Sequence, residues 1–343
     1  LEKNLFNRNL TVLTEGGQIY GFGHLTRSIS IAKQFQEYNF AVHFVVHGDD
    51  SISTTLKNYN FTLLNWHEAF KKSLPLITKN SFLLIDSITI SDEQLLFLES
   101  LDLILIYIDD EKRRNILNRG FVIDWTIGLN ETTHFIPKKK NVSYLLGSRY
   151  TPLREDFQKA KSNQLRKQIK QLMMTFGGSD VRNLTPKIIQ YLNQNFPQYV
   201  QNVIIGNGFT NLNAIKESAS SKTNLIYNAD ASTMIQIMQQ SDVAIAAGGQ
   251  TLYELAKIGI PTIGILLVDN AKDDTFGWEE LGFLKYIGTY DDELLLENLQ
   301  KNLFALQDYT IRKAMQLAGF KNIGGNGAKL LVKSILGDHY DCI

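Results

Sequence analysis

From residue 10 to about 150, short apolar runs alternate with polar or amphipathic stretches. Leu10–Thr14, Ala41–Val46, Phe61–Leu64, Phe82–Ile85 and Leu103–Ile108 are strand-length and mostly apolar. That is the pattern of buried parallel strands joined by helical crossovers. A basic, helix-like stretch rich in lysine and glutamine then covers 154–170. The rhythm restarts with Leu172–Phe176 running into Gly177-Gly178-Ser179-Asp180 and Val200–Ile205 into Gly206-Asn207-Gly208. Val243–Ala246 runs into Ala247-Gly248-Gly249-Gln250, and Pro261–Val268 ends at Asp269-Asn270. Small and polar residues thus stand at the carboxyl ends of strands, where open α/β sheets bind ligands. The last hundred residues read as mainly helical, with Asn326-Gly327-Ala328 opening an apolar helix through Val332 and Ile335. The expected organisation is α/β with two Rossmann-like domains and a cleft between them: an N-terminal domain over 1–153, a connector over 154–170 and a C-terminal domain over 171–343.

Composition supports two cores and removes several function classes. The 343 residues are 44% hydrophobic, enough for two domains of ordinary size. Thirty-five basic residues balance thirty-five acidic ones, so no global field recruits nucleic acid or an anionic membrane. The apolar runs are too short for an integral membrane segment, and Leu1–Leu10 is too polar for a secretion signal. The chain does not begin with methionine, so the natural N-terminus is expected to be missing or replaced. The single cysteine, Cys342, excludes intramolecular disulfides and cysteine-based zinc sites, and a cytoplasmic location is expected. Oligomeric state is not legible.

The first junction carries the most chemistry. Strand Leu10–Thr14 enters Glu15-Gly16-Gly17-Gln18-Ile19-Tyr20-Gly21-Phe22-Gly23, and His24, Leu25, Thr26 and Arg27 open a helix. Glycines permit tight turns and close approach of backbone to a ligand, and a helix start offers unpaired N–H groups to anions. The third glycine of a dinucleotide fingerprint is missing, since Arg27 and Ser28 follow. His24 stands at the mouth of the junction. The field of a helix N-terminus disfavours a charged imidazole, so His24 is expected to be neutral and ready to accept a proton.

A second junction lies at Gly248-Gly249-Gln250-Thr251-Leu252-Tyr253-Glu254, between a buried strand and a helix over Thr251–Lys257. Its first N–H groups suit a diphosphate without a metal. Glu254 is expected in the first helical turn, where a carboxylate can accept both hydroxyls of a ribose.

Taken in order, Gly-x-Gly-His-x-x-Arg at 21–27, Gly-Ser-Arg-Tyr-Thr-Pro-Leu-Arg at 147–154, Gly-Gly-Ser-Asp at 177–180, Gly-Gly-x-x-x-x-Glu at 248–254 and Asp-Asn at 269–270 resemble the GT-B nucleotide-sugar enzymes. Within that group the chain is most similar to the UDP-sugar hydrolases of pseudaminic acid biosynthesis and the related spore-coat polysaccharide proteins. The resemblance spans most of 10–335 and implies a GT-B fold. It implies that His24 activates water at the anomeric carbon and that Glu254 binds ribose. Gly177, Gly178, Gly248, Gly249, Gln250 and Thr251 would complete the nucleotide site, and Gly23, Arg27 and Asn270 would bind substrate. The backbone at 230–232 falls where relatives hold the uracil edge. UDP would be leaving group and product, with no cofactor. One departure is clear: after Asp86 the hydrolases carry histidine-tyrosine-glycine, where this chain has Ser87-Ile88-Thr89.

The expected activity is therefore UDP-sugar hydrolysis supplying a bacterial surface polysaccharide or nonulosonic acid. The alternatives are a GT-B glycosyltransferase with a sugar or lipid-linked acceptor, and a non-catalytic sugar-nucleotide-binding subunit. Asp109-Asp110-Glu111 closes the strand Leu103–Ile108, and Asp109 is expected to position substrate or tune His24. A solvated acidic turn is favoured there over a magnesium site. His43, His47, His67, His134 and His339 lack ligand spacing, and Trp66, Trp125 and Trp278 read as core or interface residues. No metal is expected.

Overall fold

The computed structural model describes residues 8–77, 81–129 and 138–337. Cys342, His134 and His339 lie outside them. The chain divides into two compact units, Leu1–Pro152 with Asn326–Ile343, and Leu153–Gly325.

The first unit contains β1 (Asn9–Gly16), α1 (Gly23–Glu37), β2 (Ala41–Gly48), β3 (Asn60–Leu63), α2 (Phe70–Ser73), β4 (Phe82–Asp86), α3 (Asp92–Glu99), β5 (Ile104–Ile108), β6 (Gly120–Asp124) and β7 (Val142–Leu146). Its strands are parallel, in the order β3-β2-β1-β4-β5-β6-β7. The order reverses direction between β1 and β4, which is the place where open α/β sheets bind ligands. Helix α1 buries Leu25, Ser28, Ile31, Ala32 and Phe35, a stripe at helical spacing. Leu13, Val45, Leu83, Ile85, Leu95, Leu105 and Trp66 form one continuous core.

The second unit contains α4 (Glu155–Lys159), β8 (Gln171–Thr175), α5 (Leu184–Asn195), β9 (Val200–Ile205), α6 (Leu212–Ser218), β10 (Thr223–Tyr227), α7 (Ala231–Gln240), β11 (Val243–Ala247), α8 (Gln250–Ile258), β12 (Thr262–Leu266), α9 (Lys272–Glu280), β13 (Leu284–Thr289), α10 (Leu295–Ala305) and α11 (Tyr309–Asn322). Its parallel order is β10-β9-β8-β11-β12-β13, with the reversal between β8 and β11. Leu172, Met174, Ile188, Val203, Ile245, Ile263 and Leu299 anchor its core.

Two boundaries differ from the sequence reading. Residues 154–170 are helical only over Glu155–Lys159, and they are built into the second unit rather than free. The Asn163 N–H donates to the Ile258 carbonyl at 2.7 Å, and Arg166 contacts Asp242 at 3.0 Å. Arg312, fully buried, donates to the carbonyls of Leu306, Arg166 and Lys167. The last helix, α12 (Gly327–Leu336), belongs to the first unit instead of the C-terminal domain. It packs against α1, and Gly327 lies so close to Thr151 that a Cβ there would sit 2.2 Å from its carbonyl oxygen.

At the reversal of the second sheet the loops after β8 and β9 meet backbone to backbone. The Gly208 N–H donates to the Gly178 carbonyl at 2.9 Å, and a Cβ on Gly206 would stand 2.4 Å from that same oxygen. Gly206→Ala must push the two loops apart and is expected to cost about 1–3 kcal/mol. The shift of the denaturant midpoint against the native chain measures this.

Candidate functional site

Strand β1 carries the chain to Gly16 at the sheet reversal, and α1 begins seven residues later at Gly23. Positive φ at Gly17 (+123°) and Gly21 (+72°) lets the intervening loop double back, with the Gly17 N–H donating to the Gly21 carbonyl at 3.0 Å. Asp49 accepts the Gln18 N–H at 2.8 Å and holds the loop from the β2 side. This places His24, the second residue of α1, beside the end of β4.

There the fully buried Asp86 organises the junction. Its Oδ1 lies 2.7 Å from His24 Nδ1 and 2.6 Å from Arg27 Nη2, while Oδ2 accepts from Arg27 Nε at 2.8 Å and from Ser28 Oγ at 3.1 Å. Arg27 Nη1 continues to Asp110 Oδ2 at 2.6 Å, and the guanidinium stands 4.9 Å over the Trp125 ring. Burial opposes ionisation of Asp86, but Arg27 and His24 outweigh it and hold the carboxyl well below the usual range.

A carboxylate oxygen only accepts, so the 2.7 Å contact requires the imidazole proton on Nδ1. The 3.1 Å approach of Arg27 Nη2 to that nitrogen is then a packing contact. Nε2 has no partner among the described residues, which leaves it as an acceptor. Desolvation disfavours the charged ring and Arg27 repels it, yet the charges of Asp86 and Asp110 raise its pKa above the ordinary 6.5. The sequence reading expected the opposite sign from the helix field. A full charge in hydrogen-bond contact outweighs the partial charge of a helix end.

His24, Arg27, Asp86 and Ser87 line an open pocket with Asp109 and Asp110, and the strand end after β5 completes its wall. The two acidic residues do different things. Asp110 pairs with Arg27, whereas Asp109 accepts the Arg114 backbone N–H at 2.7 Å and serves its own loop. The side chain touching His24 is Asp86, which takes the tuning role expected of Asp109. Arg27, expected to bind substrate, spends its donors on Asp86 and Asp110 and is 13% exposed. Gly23 is exposed at the helix start, and a Cβ there would meet nothing.

The stretch Ser87-Ile88-Thr89 is held by Glu15, itself fully buried at the end of β1. The hydroxyls of Ser87 and Thr89 donate to Glu15 Oε1, and His67 Nε2 approaches the same oxygen to 3.4 Å. Burial alone would raise the Glu15 pKa, but His67, Ser87 and Thr89 pull it down to about 2. Neither Glu15 nor His67 stood out in the sequence. In the sequence Glu15 reads as the first residue of the glycine loop, whereas the structure continues β1 through Gly16 and buries it.

In the second unit Gly177 has φ +74°, Gly249 has φ +103°, and a Cβ on either of these, or on Gly178, would meet nothing within 4 Å. These three glycines border open space, unlike Gly248, which packs on Ala271 and Thr275. Helix α8 starts at Gln250, so the N–H groups of Gln250 and Thr251 face outward from its first turn. Glu254 is the fifth residue of α8 and lies in its second turn, one step deeper than expected, because the helix begins a residue early. It is 4% exposed, and Arg154 grips both its oxygens, Nε to Oε1 at 2.7 Å and Nη2 to Oε2 at 2.9 Å. Asn270 sits exposed in a short 3-10 turn after β12. Asp230 caps α7 by accepting the Thr233 N–H at 2.8 Å. No group of three or more His, Cys, Asp or Glu side chains is arranged to hold a metal ion among the described residues. No helix among them is long and apolar enough to cross a membrane.

No family model matches the chain. It is 26% identical over 268 residues to the uncharacterized protein MJ1062 of Methanocaldococcus jannaschii, a match over 74% of this chain and 54% of that protein, so the chain spans about half of that relative. It is 22% identical to the spore coat polysaccharide biosynthesis protein SpsG of Bacillus subtilis, over 96% of this chain and 98% of that one. It is 24% identical to the UDP-2,4-diacetamido-2,4,6-trideoxy-beta-L-altropyranose hydrolase of Campylobacter jejuni, over 75% of this chain and 91% of that one. Among solved structures, Acinetobacter baumannii MurG superposes with a TM-score of 0.68 at 13% identity, covering 96% of this chain and 99% of its own. The spinosyn rhamnosyltransferase SpnG, solved with thymidine diphosphate, superposes with a TM-score of 0.62 at 9% identity, covering 96% and 100%. The chain therefore has the GT-B fold and is similar in sequence to a pseudaminic-pathway UDP-sugar hydrolase and to a spore-coat polysaccharide biosynthesis protein.

Proposed function

We propose that the protein is a UDP-sugar hydrolase, releasing UDP and a free sugar for surface polysaccharide or nonulosonic acid synthesis. The observation that carries the reading is the His24–Asp86 contact of 2.7 Å, which leaves Nε2 as a proton acceptor at the first glycine-rich junction. In this reading the second unit grips the nucleotide. Gly177, Gly178, Gly249, Gln250 and Thr251 offer backbone to the diphosphate, Glu254 takes the ribose hydroxyls, and Asn270 meets the sugar end. His24 Nε2 removes a proton from water, whose oxygen bonds to the anomeric carbon with inversion. The C1–O bond breaks at the same centre, and its electron pair leaves with UDP. Outward N–H groups at the start of α8 stabilise the charge that develops on the diphosphate. Asp86 supports the imidazolium as it forms, and Arg27 keeps Asp86 ionised. Asp109 closes the pocket wall and is assigned no proton transfer.

The solved structures named as glycosyltransferases favour one alternative, transfer of the sugar to an acceptor hydroxyl in place of water. Incubation with a panel of UDP-sugars and no acceptor separates the two. Rapid UDP release supports hydrolysis, and release only on adding an acceptor supports transfer. UDP-sugar binding with no turnover under either condition would instead indicate a non-catalytic subunit.

His24→Ala is expected to lower kcat by roughly 10²–10⁴-fold while leaving the Kd for UDP within about three-fold, because it removes proton transfer and not nucleotide contacts. Stopped turnover assays and calorimetric UDP titration measure the two quantities. Unchanged kcat would exclude His24 as the base.

The pH profile has a defined sign. The base must be neutral, and Asp86 raises the His24 pKa, so kcat/KM should rise with pH through a midpoint above 6.5. Asp86→Asn removes the charge that lifts it, and the midpoint should move down while the maximal rate falls. A midpoint unmoved in that variant would mean that another group controls the acidic limb.

A further inference from the structure

A buried charge that takes its donors from one short segment fixes that segment, because moving the segment would leave the charge unmet. Glu15 is in that position. Leu13 and Ile85 are register partners in the core of the first unit, and Glu15 and Ser87 follow two residues later on the same face. Glu15 Oε1 accepts from the hydroxyls of Ser87 and Thr89 and from the Thr89 N–H at 3.3 Å. Oε2 is buried without a partner among the described residues, so, His67 apart, the charge is met from the segment alone. Lys112, in the loop after β5, holds the segment a second time, Nζ donating to the Ile88 carbonyl at 2.6 Å. The residue between these contacts is Ile88, partly exposed, which lines the pocket with His24 and Asp86. Both of its flanking hydroxyl residues are turned to Glu15. A wall beside the proton acceptor governs where the reacting carbon stands, and a misplacement of about 1 Å can cost about 10²-fold in rate.

We propose that Glu15 is a positioning residue of the His24 pocket: through Ser87 and Thr89 it fixes Ile88 as the wall against which the sugar of a UDP-sugar is seated. The inference deepens the UDP-sugar reading and rests on it. The hold is built from Ser87-Ile88-Thr89, the three residues in which the chain departs from the hydrolases it resembles. A purely structural role for Glu15 would alter stability and leave the placement of the sugar unchanged.

The test uses the full chain with UDP and with the best-bound of UDP-glucose, UDP-galactose, UDP-N-acetylglucosamine and UDP-N-acetylgalactosamine. The double variant Glu15→Met, Thr89→Val removes the carboxylate together with one of its donors, so no charge is left buried. Ser87 is kept, since its Oγ also accepts the N–H groups of Thr89 and Ile90 at 3.1 and 3.0 Å. Assayed well below its thermal unfolding midpoint, the variant is expected to lose about 10–10²-fold in kcat/KM while its Kd for UDP stays within about three-fold of native. Glu15→Gln keeps a carbonyl acceptor and should recover most of the loss. In the native protein the labelled Ile88 methyl signal should move on adding the UDP-sugar and not on adding UDP, which carries the test should the double variant fail to fold. A folded double variant with native kcat/KM, or an Ile88 methyl unmoved by a bound UDP-sugar, overturns the proposal and leaves the UDP-sugar reading standing. Binding of neither UDP nor any of the four sugar nucleotides overturns the UDP-sugar reading and this inference with it.

Discussion

A carboxylate sealed inside an apolar sheet must be neutralised, and the first unit is arranged around meeting that demand at Asp86. The residue is fully buried at the end of β4, where an uncompensated charge would be strongly destabilising. Arg27 supplies a two-bond fork, Ser28 a hydroxyl and His24 an imidazole N–H. Three of the first six residues of α1 thus converge on one carboxylate. The turn of the glycine loop that brings α1 there is therefore as necessary as the donors themselves. A proton acceptor results as a by-product of charge compensation: with Nδ1 committed to Asp86, Nε2 is left to the pocket.

The second unit repeats the device with a different outcome. Each sheet reverses direction beside its first strand, and at each reversal a buried carboxylate is gripped by the Nε and Nη2 of one arginine. In the first unit a further carboxylate, Asp110, and an imidazole join the pair, so the local charge depends on the state of His24. In the second unit Arg154 and Glu254 stand as a neutral couple next to an outward-facing helix start. The first arrangement leaves an imidazole nitrogen free to accept a proton, and the second leaves a helix start beside an ion pair of no net charge. Open space borders Gly177, Gly178 and Gly249, and nothing packed in the protein requires glycine's bare backbone at Gly178.

Much of the fold was legible because buried parallel strands write themselves as apolar runs. β1, β2, β3, β4, β5, β8, β9, β11 and β12 all fall on runs seen in the sequence, within a residue or a few at each end. The strands that escaped were β6, β7, β10 and β13. Three of these are edge strands, which need not be apolar on both faces, as the mixed Val142–Leu146 and Thr223–Tyr227 illustrate. Helix α12 was recognised as a helix but given to the wrong unit, since an apolar face does not name the sheet that covers it. At the site, His24 and Glu254 were visible through their glycine-rich surroundings. Their partners were not: Asp86 is 62 residues from His24, and Arg154 is 100 residues from Glu254. The sign of the His24 shift followed from that omission, because the helix field was weighed without the full charge 2.7 Å away.

Asp86 fixes the His24 tautomer and leaves Nε2 to accept a proton. Nitrogen-15 NMR of the labelled imidazole across a pH titration tests it most directly. The expected result is a neutral form protonated on Nδ1, with a titration midpoint above 6.5. A neutral form protonated on Nε2, or a midpoint below that value, would contradict it.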